Sequence, residues 1–154
     1  MPLVDIAKKI EKSRDKLGFS PSEQILMACM VNPRGTVAAI AAGGMVGAAI
    51  RAKVDKNAAA ANGGGHAAAW PGGRNMLAIT SQRLVLCAMS TLSGKPTSIS
   101  ASWPHEAIAG IEVESAATRY PFTVVFVDGT MAQAEGAKGS GADQLPAVVA
   151  QIWS

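Results

Sequence analysis

The sequence predicts an α+β domain built from short antiparallel strands, and three observations predict it. A run of apolar segments with tight-turn signals fills residues 75–135, amphipathic helical spacing stands at both ends, and one uncharged Gly/Ala-rich stretch interrupts the pattern. A length of 154 residues suits one domain with one core, so residues 1–154 are read as a single unit. Hydrophobic residues reach 49% but aromatics only 5%, so alanine inflates the apolar fraction without adding much to a core. Charged residues make up 16%, below the roughly 25% of ordinary soluble domains, which implies that part of the surface is covered by a partner or a membrane.

From the N-terminus, Leu3, Ile6, Ile10 and Leu17 keep helical spacing while Lys8, Lys9, Lys12, Arg14 and Lys16 take other positions. This predicts an amphipathic helix over 3–17 that stops at Gly18. Two dispositions are open to it: laid on the domain's own core, or presented as a basic contact to a membrane or partner. The Ser20–Ser22 run makes a turn. Residues 24–31 (QILMACMV) then read as a buried strand that Pro33 and Gly35 stop.

Residues 36–50 (TVAAIAAGGMVGAAI) carry no charge, and Arg34 precedes them while Arg51, Lys53 and Lys56 follow. As a helix these 15 residues would span about 22 Å, short of the ~30 Å of a bilayer's hydrocarbon core, which argues against a simple transmembrane span. Ala39, Gly43 and Gly47 recur at every fourth position, and Gly44 pairs with Ala48 in the same way. Small residues at that spacing make a groove that another backbone can approach closely. Residues 55–73 return to the domain as a flexible or partly helical linker, so 36–73 is read as an inserted helix and its linker. Within the linker, His66 reads as an exposed loop residue, and Trp70 as an anchor to the body or an interface residue.

Strands follow over 75–80 and 83–89, joined by the tight Ser81-Gln82 turn, then over 97–103, 107–114 and 121–127. Asp128-Gly129 turns into a last strand over 130–135. A Gly-rich corner leads to a helix over 143–153 with Leu145, Val148, Val149 and Ile152 on one stripe and Pro146 in its first turn. Residues 24–31 and 75–153 thus form six or seven strands with a closing helix.

The stretch from Leu77 to Glu114, followed by FTVVFVDGTMAQAE, resembles bacterial pleckstrin-homology-like and GRAM-like domains. Leu77, Thr80, Arg83 and Leu84 match their L-x-x-T-x-x-R-L hairpin, Trp103, Pro104 and Ile108 their W-P-x-x-x-I corner, and Asp128-Gly129 their D-G hairpin. The resemblance covers roughly Met76 to Trp153 and implies a bent antiparallel β-barrel plugged at one end by the C-terminal helix. It also implies a module that binds phosphoinositides, peptides or protein surfaces. The Gly/Ala-rich insertion is similar to those of actinobacterial relatives. Eukaryotic phosphoinositide binders carry basic residues in the first hairpin loop, which the insertion replaces here; its basic cluster is Arg51, Lys53 and Lys56.

No catalytic set is legible. His105-Glu106 is a neighbour pair at a surface corner, Glu112 and Glu114 share the solvated face of a strand, and the glycines of 136–141 match no phosphate-binding loop. Two lone histidines and two strand cysteines, Cys29 and Cys87, supply no metal set; the cysteines read as buried reduced thiols. A net charge of +3 is too small for a nucleic-acid footprint. The expectation is therefore a cofactor-free, non-enzymatic binding or scaffold module with a protein partner or a second copy of itself. Ala39, Gly43, Gly44, Gly47 and Ala48 would form the association surface, with Arg34, Arg51, Lys53 and Lys56 as membrane or anion contacts. The alternatives are a peripheral membrane domain and a small-ligand carrier that uses the barrel interior beside Trp70 and Trp103. No secretory leader is visible, so the expected location is the cytoplasm, including the inner face of the plasma membrane.

Overall fold

The computed structural model describes residues 6–37 and 66–153. Helices α1 (Ile6–Lys12) and α2 (Arg14–Leu17) precede strands β1 (Ile25–Val37), β2 (Asn75–Thr80), β3 (Arg83–Met89), β4 (Pro96–Pro104), β5 (Ile108–Val113), β6 (Arg119–Phe126) and β7 (Met131–Ala137), and α3 (Leu145–Trp153) closes the chain. All seven strands form one antiparallel sheet in the order β4-β3-β2-β1-β7-β6-β5. The edge strands β4 and β5 follow one another in sequence, and Trp103 of β4 lies 5.2 Å from Phe126 of β6, so the sheet curls until its two ends face each other.

Alternation along the central strands explains their continuous apolar runs. Met27, Cys29, Val31, Leu77, Ile79, Leu84 and Leu86 point into the curl, where α3 adds Leu145, Val148, Val149 and Trp153. The intervening Ala28, Met76, Ala78, Val85 and Cys87 point outward, where Ile6, Ile10, Leu17 and Phe19 cover them. A strand buried on both faces loses its polar alternation. The N-terminal helix is therefore laid on the domain's own sheet, and its apolar stripe is spent there. Each of Ile6, Ile10 and Leu17 contributes about 1.5–3 kcal/mol by leaving water. Cys29 and Cys87 are free and buried on opposite faces of the sheet, and burial pushes their thiols up to about 12 and about 11.

Three expectations are corrected. The first helix is two pieces broken at Ser13, and Gly18 ends the second in the left-handed conformation. The break lets Leu17 and Phe19 follow the twist of the sheet beneath them. The first strand does not stop at Pro33 but continues to Val37, so Thr36 and Val37 belong to a strand and not to the inserted helix. Proline is tolerated there because β1 leaves β2 at the Val31–Asn75 rung and has only β7 beside it from then on. The ladder slips between Pro33 and Gly35, so no interior hydrogen bond is lost. The linker is not free at its end: His66–Ala69 form a 3-10 turn that is fastened to the sheet. The rest of the predicted inserted helix, including Ala39, Gly43, Gly44, Gly47, Ala48, Arg51, Lys53 and Lys56, lies outside the described residues.

Candidate functional site

The chain leaves and re-enters the described sheet at one corner. Val37, at the end of β1, pairs with Met131 at the start of β7. On the return, the Asp128 carboxylate accepts the His66 N–H (2.7 Å), and Thr130 Oγ1 accepts the Ala67 N–H (3.1 Å). Thr130 in turn donates its hydroxyl and its N–H to Asp128 Oδ1, at 2.6 and 3.0 Å. The Asp-Gly-Thr turn between β6 and β7 thus works as a side-chain cap for the incoming 3-10 turn, satisfying amides that begin a helix without partners. Burial pushes the Asp128 carboxyl up, but the donors from Thr130 and His66 outweigh it and hold it below the usual aspartate range. Replacing Asp128 with alanine should cost about 1 kcal/mol of stability, as loss of a cap does. Hydrogen exchange should report the loss as faster exchange at the His66 and Ala67 amides.

Behind this cap, Trp70 stacks on Trp103 with ring centroids 5.4 Å apart and planes 18° from parallel, and meets Phe122 edge-on at 6.4 Å. The Trp103 indole N–H donates to the His66 carbonyl (3.2 Å). Both tryptophans are buried, so Trp70 anchors the returning linker in the body of the domain. His66 itself is exposed, as read from sequence. One face of Trp103 is occupied by Trp70, and a ligand seated against that face would have to displace it.

Of the basic residues singled out in sequence, Arg34 is described. It is half-exposed and pairs with Glu135 (3.2 Å), which also takes Arg119 at the same distance. Arg74, at the head of β2, donates to the Asn32 side chain (3.2 Å), so the outer face of β1 and its neighbours carries a small basic cluster.

The positions that carry the family resemblance do structural work. Leu77, Leu84, Trp103 and Ile108 fill the interior. Thr80 and Arg83 hold Glu23, a residue that sequence reading did not single out. Only 2% of Glu23 is exposed, and its carboxylate accepts the Thr80 hydroxyl (2.6 Å), Arg83 Nε (2.9 Å) and a second Arg83 nitrogen (3.3 Å). The Arg14 guanidinium donates to the Glu23 carbonyl, tying α2 to the same point. Burial alone would push the Glu23 carboxyl up. The bonds from Arg83 and Thr80 and the Arg83 charge outweigh that and leave it below the usual glutamate range.

The remaining candidates are also joints. His105 Nε2 donates to the Thr80 carbonyl (2.9 Å), its ring meets Trp153 edge-on, and its own carbonyl accepts the Trp153 indole N–H. Gly141 takes φ +115°, and a Cβ there would fall 2.2 Å from the Ala28 carbonyl oxygen, so the Gly-rich corner is shaped to pass close against β1. Ser140 Oγ accepts the Met30 N–H in the same corner. Among the described residues, no group of three His, Cys, Asp or Glu side chains is placed to hold a metal ion, and no helix is long and apolar enough to cross a membrane.

A curled seven-stranded antiparallel sheet closed by a C-terminal helix is a pleckstrin-homology-like fold. The chain is similar over 98% of its length to 95% of a solved protein from Shewanella loihica PV-4, described as a DUF1696 family protein with a pleckstrin-homology domain, at 15% identity and a TM-score of 0.51. A pleckstrin homology domain from Shewanella amazonensis SB2B aligns over 97% of this chain and 98% of its own, at 16% identity and a TM-score of 0.48. No family model and no curated protein matches the sequence. At 15% identity the likeness to the Shewanella loihica protein speaks for the fold alone.

Proposed function

We propose that this chain is a non-catalytic binding module whose working element is the Gly/Ala-rich segment, acting by association with a second copy of itself or with a protein partner. The observation that carries this reading is the common corner. The segment departs beside Met131 and returns onto Asp128 and Thr130, so the chain on either side of it is held on one hairpin of the sheet. Fixing the two ends of a segment removes part of the entropy that a free tail would lose on binding. Its chemistry supports association: Ala39, Gly43 and Gly47 on one spacing and Gly44 with Ala48 on another make a surface suited to close backbone contact. The Trp70–Trp103 stack favours association over carriage of a small ligand, because it fills the place such a ligand would take. Two buried reduced thiols fit a cytoplasmic setting.

Light scattering after size exclusion tests the reading. Wild type should run above monomer mass, and Gly43→Leu combined with Gly47→Leu should lower that mass without changing the melting of the sheet, since leucine fills the close approach. A wild-type monomer with and without detergent removes the self-association form of the proposal. A mass that changes only with detergent transfers the segment to a membrane, with Arg34, Arg51, Lys53 and Lys56 at the head groups.

A further inference from the structure

The half of the sheet that the N-terminal helices leave uncovered holds one buried row. Ile108, Ile111, Val124, Phe126 and Ala132 point into the interior, so Gly110, Val125 and Met131 beside them face outward. The pairings Gly110–Val125, Val125–Met131 and Met131–Val37 line these residues up across β5, β6, β7 and the end of β1. On an open face such a row would be wet. Instead Val125 is 0% exposed, Met131 is 8% exposed, and Gly110 is buried. One rung further along the same face, Thr123 is half-buried and Gln133 is exposed. The next rung puts Glu135 half-buried and Asn32 exposed. Strand neighbours shield all these rungs alike from the sides, so what sets the first apart is a cover lying on top of it.

Neither core supplies that cover. Ile6, Ile10, Leu17 and Phe19 lie over Ala28, Met76, Ala78, Val85 and Cys87 on β1–β3, while α3 fills the interior on the opposite face. Val125 and Met131 belong to neither cluster. The burial is that of one chain standing alone, so a second copy is not its source. The part of the chain that begins and ends beside the row is the Gly/Ala-rich segment. It leaves at Val37, the end of the row itself, and comes back at His66 and Ala67 onto Asp128 and Thr130, which lead into Met131. Ile40, the first large apolar residue after Val37, stays within about 11 Å of it however the chain runs.

We infer that the outer row of Gly110, Val125 and Met131 is the seat of the chain's own Gly/Ala-rich segment, and that Ile40 is the first large side chain to enter it. Gly110 suits the role: with no side chain of its own, it leaves a dip beside Val125 that another backbone or a branched side chain can approach closely. The drive is the removal of valine and methionine surface from water, which an uncharged run supplies without burying a charge. The seat does not depend on association, since it fixes where the segment starts whether or not Gly43 and Gly47 meet a second copy.

The test uses the full chain. Val125→Cys and Gln133→Cys are each labelled with a maleimide, against a low background because Cys29 and Cys87 are buried. The thiol at 125 should react about tenfold or more slowly than the one at 133, because the seat must open first and the burial of a valine-sized side chain opposes that. Adding Ile40→Asp to Val125→Cys should bring its rate towards that of Gln133→Cys. A second measurement leaves the row untouched. Gln133→benzoylphenylalanine, at an exposed position on the same face, is irradiated in a mixture of isotopically heavy and light chains. Crosslinks should join position 133 to residues 38–50 of the same chain. Three results overturn the inference: a thiol at 125 as reactive as the one at 133, protection that Ile40→Asp leaves intact, and crosslinks that miss 38–50 or join heavy chains to light. Oligomer mass measured alongside keeps the two readings apart. Crosslinks within one chain of a monomer uphold the seat and remove self-association, whereas heavy-to-light crosslinks in an oligomer remove the seat and uphold self-association.

Discussion

Replacing Arg83 with alanine should destabilise the domain by about 3–5 kcal/mol, because it strands a carboxylate that the fold has taken out of water. Glu23 is nearly inaccessible, and two of the three bonds to its carboxylate come from Arg83. Thr80 remains in the variant but brings no charge. The effect should depend on pH in a defined direction. With Arg83 present, the folded-state carboxyl lies below its ordinary value, so its contribution is complete above the ordinary glutamate range and is lost as pH falls through the lower folded value. Without Arg83, burial acts unopposed by that charge and the folded state favours the protonated acid. The gap between wild type and variant should therefore be widest at neutral pH and narrow on acidification. Urea unfolding at a series of pH values measures it. A gap that stays constant with pH would assign the loss to the guanidinium's packing over the Phe19 ring, 5.2 Å from its centroid, and not to the ion pair.

Glu23 also shows where sequence reading runs out. Next to a Ser-Pro-Ser turn, a lone glutamate reads as a solvated residue, and its burial depends on partners that follow it by 57 and 60 positions. Thr80 and Arg83 were legible as members of a hairpin pattern, but what they hold was not, since nothing local links T-x-x-R to an acid in an earlier turn. By contrast β2 and β3 were readable to their end residues, because burial on both faces makes each an unbroken apolar run bounded by turn residues. Pro33 misled for the opposite reason. Proline marks a strand end only where a neighbour needs its N–H, and that depends on β1 having exchanged β2 for β7 at that level. The stripe of Leu3, Ile6, Ile10 and Leu17 was equally compatible with a sheet and a membrane beneath it, since periodicity records that a face is apolar and not what covers it. Leu92 and Trp70 illustrate the same limit. Both are large apolar residues in Gly- and Ser-containing loops, yet one stands in water and the other is buried against an indole.

Trp103→Ala should be the other severe substitution, at about 3–5 kcal/mol, the range for deleting a buried aromatic. The indole is the meeting point of three structures that sequence separates: β4, which carries it, β6, which supplies Phe126, and the returning linker, which supplies Trp70 and the His66 carbonyl. Removing it opens a cavity where the two ends of the curled sheet face each other, and it also takes away one of the bonds that fix the linker. Global stability from urea unfolding and amide exchange at 66–70 should therefore fall together, whereas Asp128→Ala should raise exchange at the same amides with only a small global cost. If Trp103→Ala lowers stability by less than about 1 kcal/mol, the stack is not what closes the sheet. The comparison matters for the association reading because that reading needs the Gly/Ala-rich segment to be held at both ends. The Val37–Met131 rung holds one end by backbone pairing alone, while the other depends on a cap and an indole that single substitutions can remove in turn. Oligomer mass that persists when Asp128→Ala and Trp103→Ala are combined, with both the cap and the indole gone, would mean that one fixed end is enough for the segment to find its neighbour.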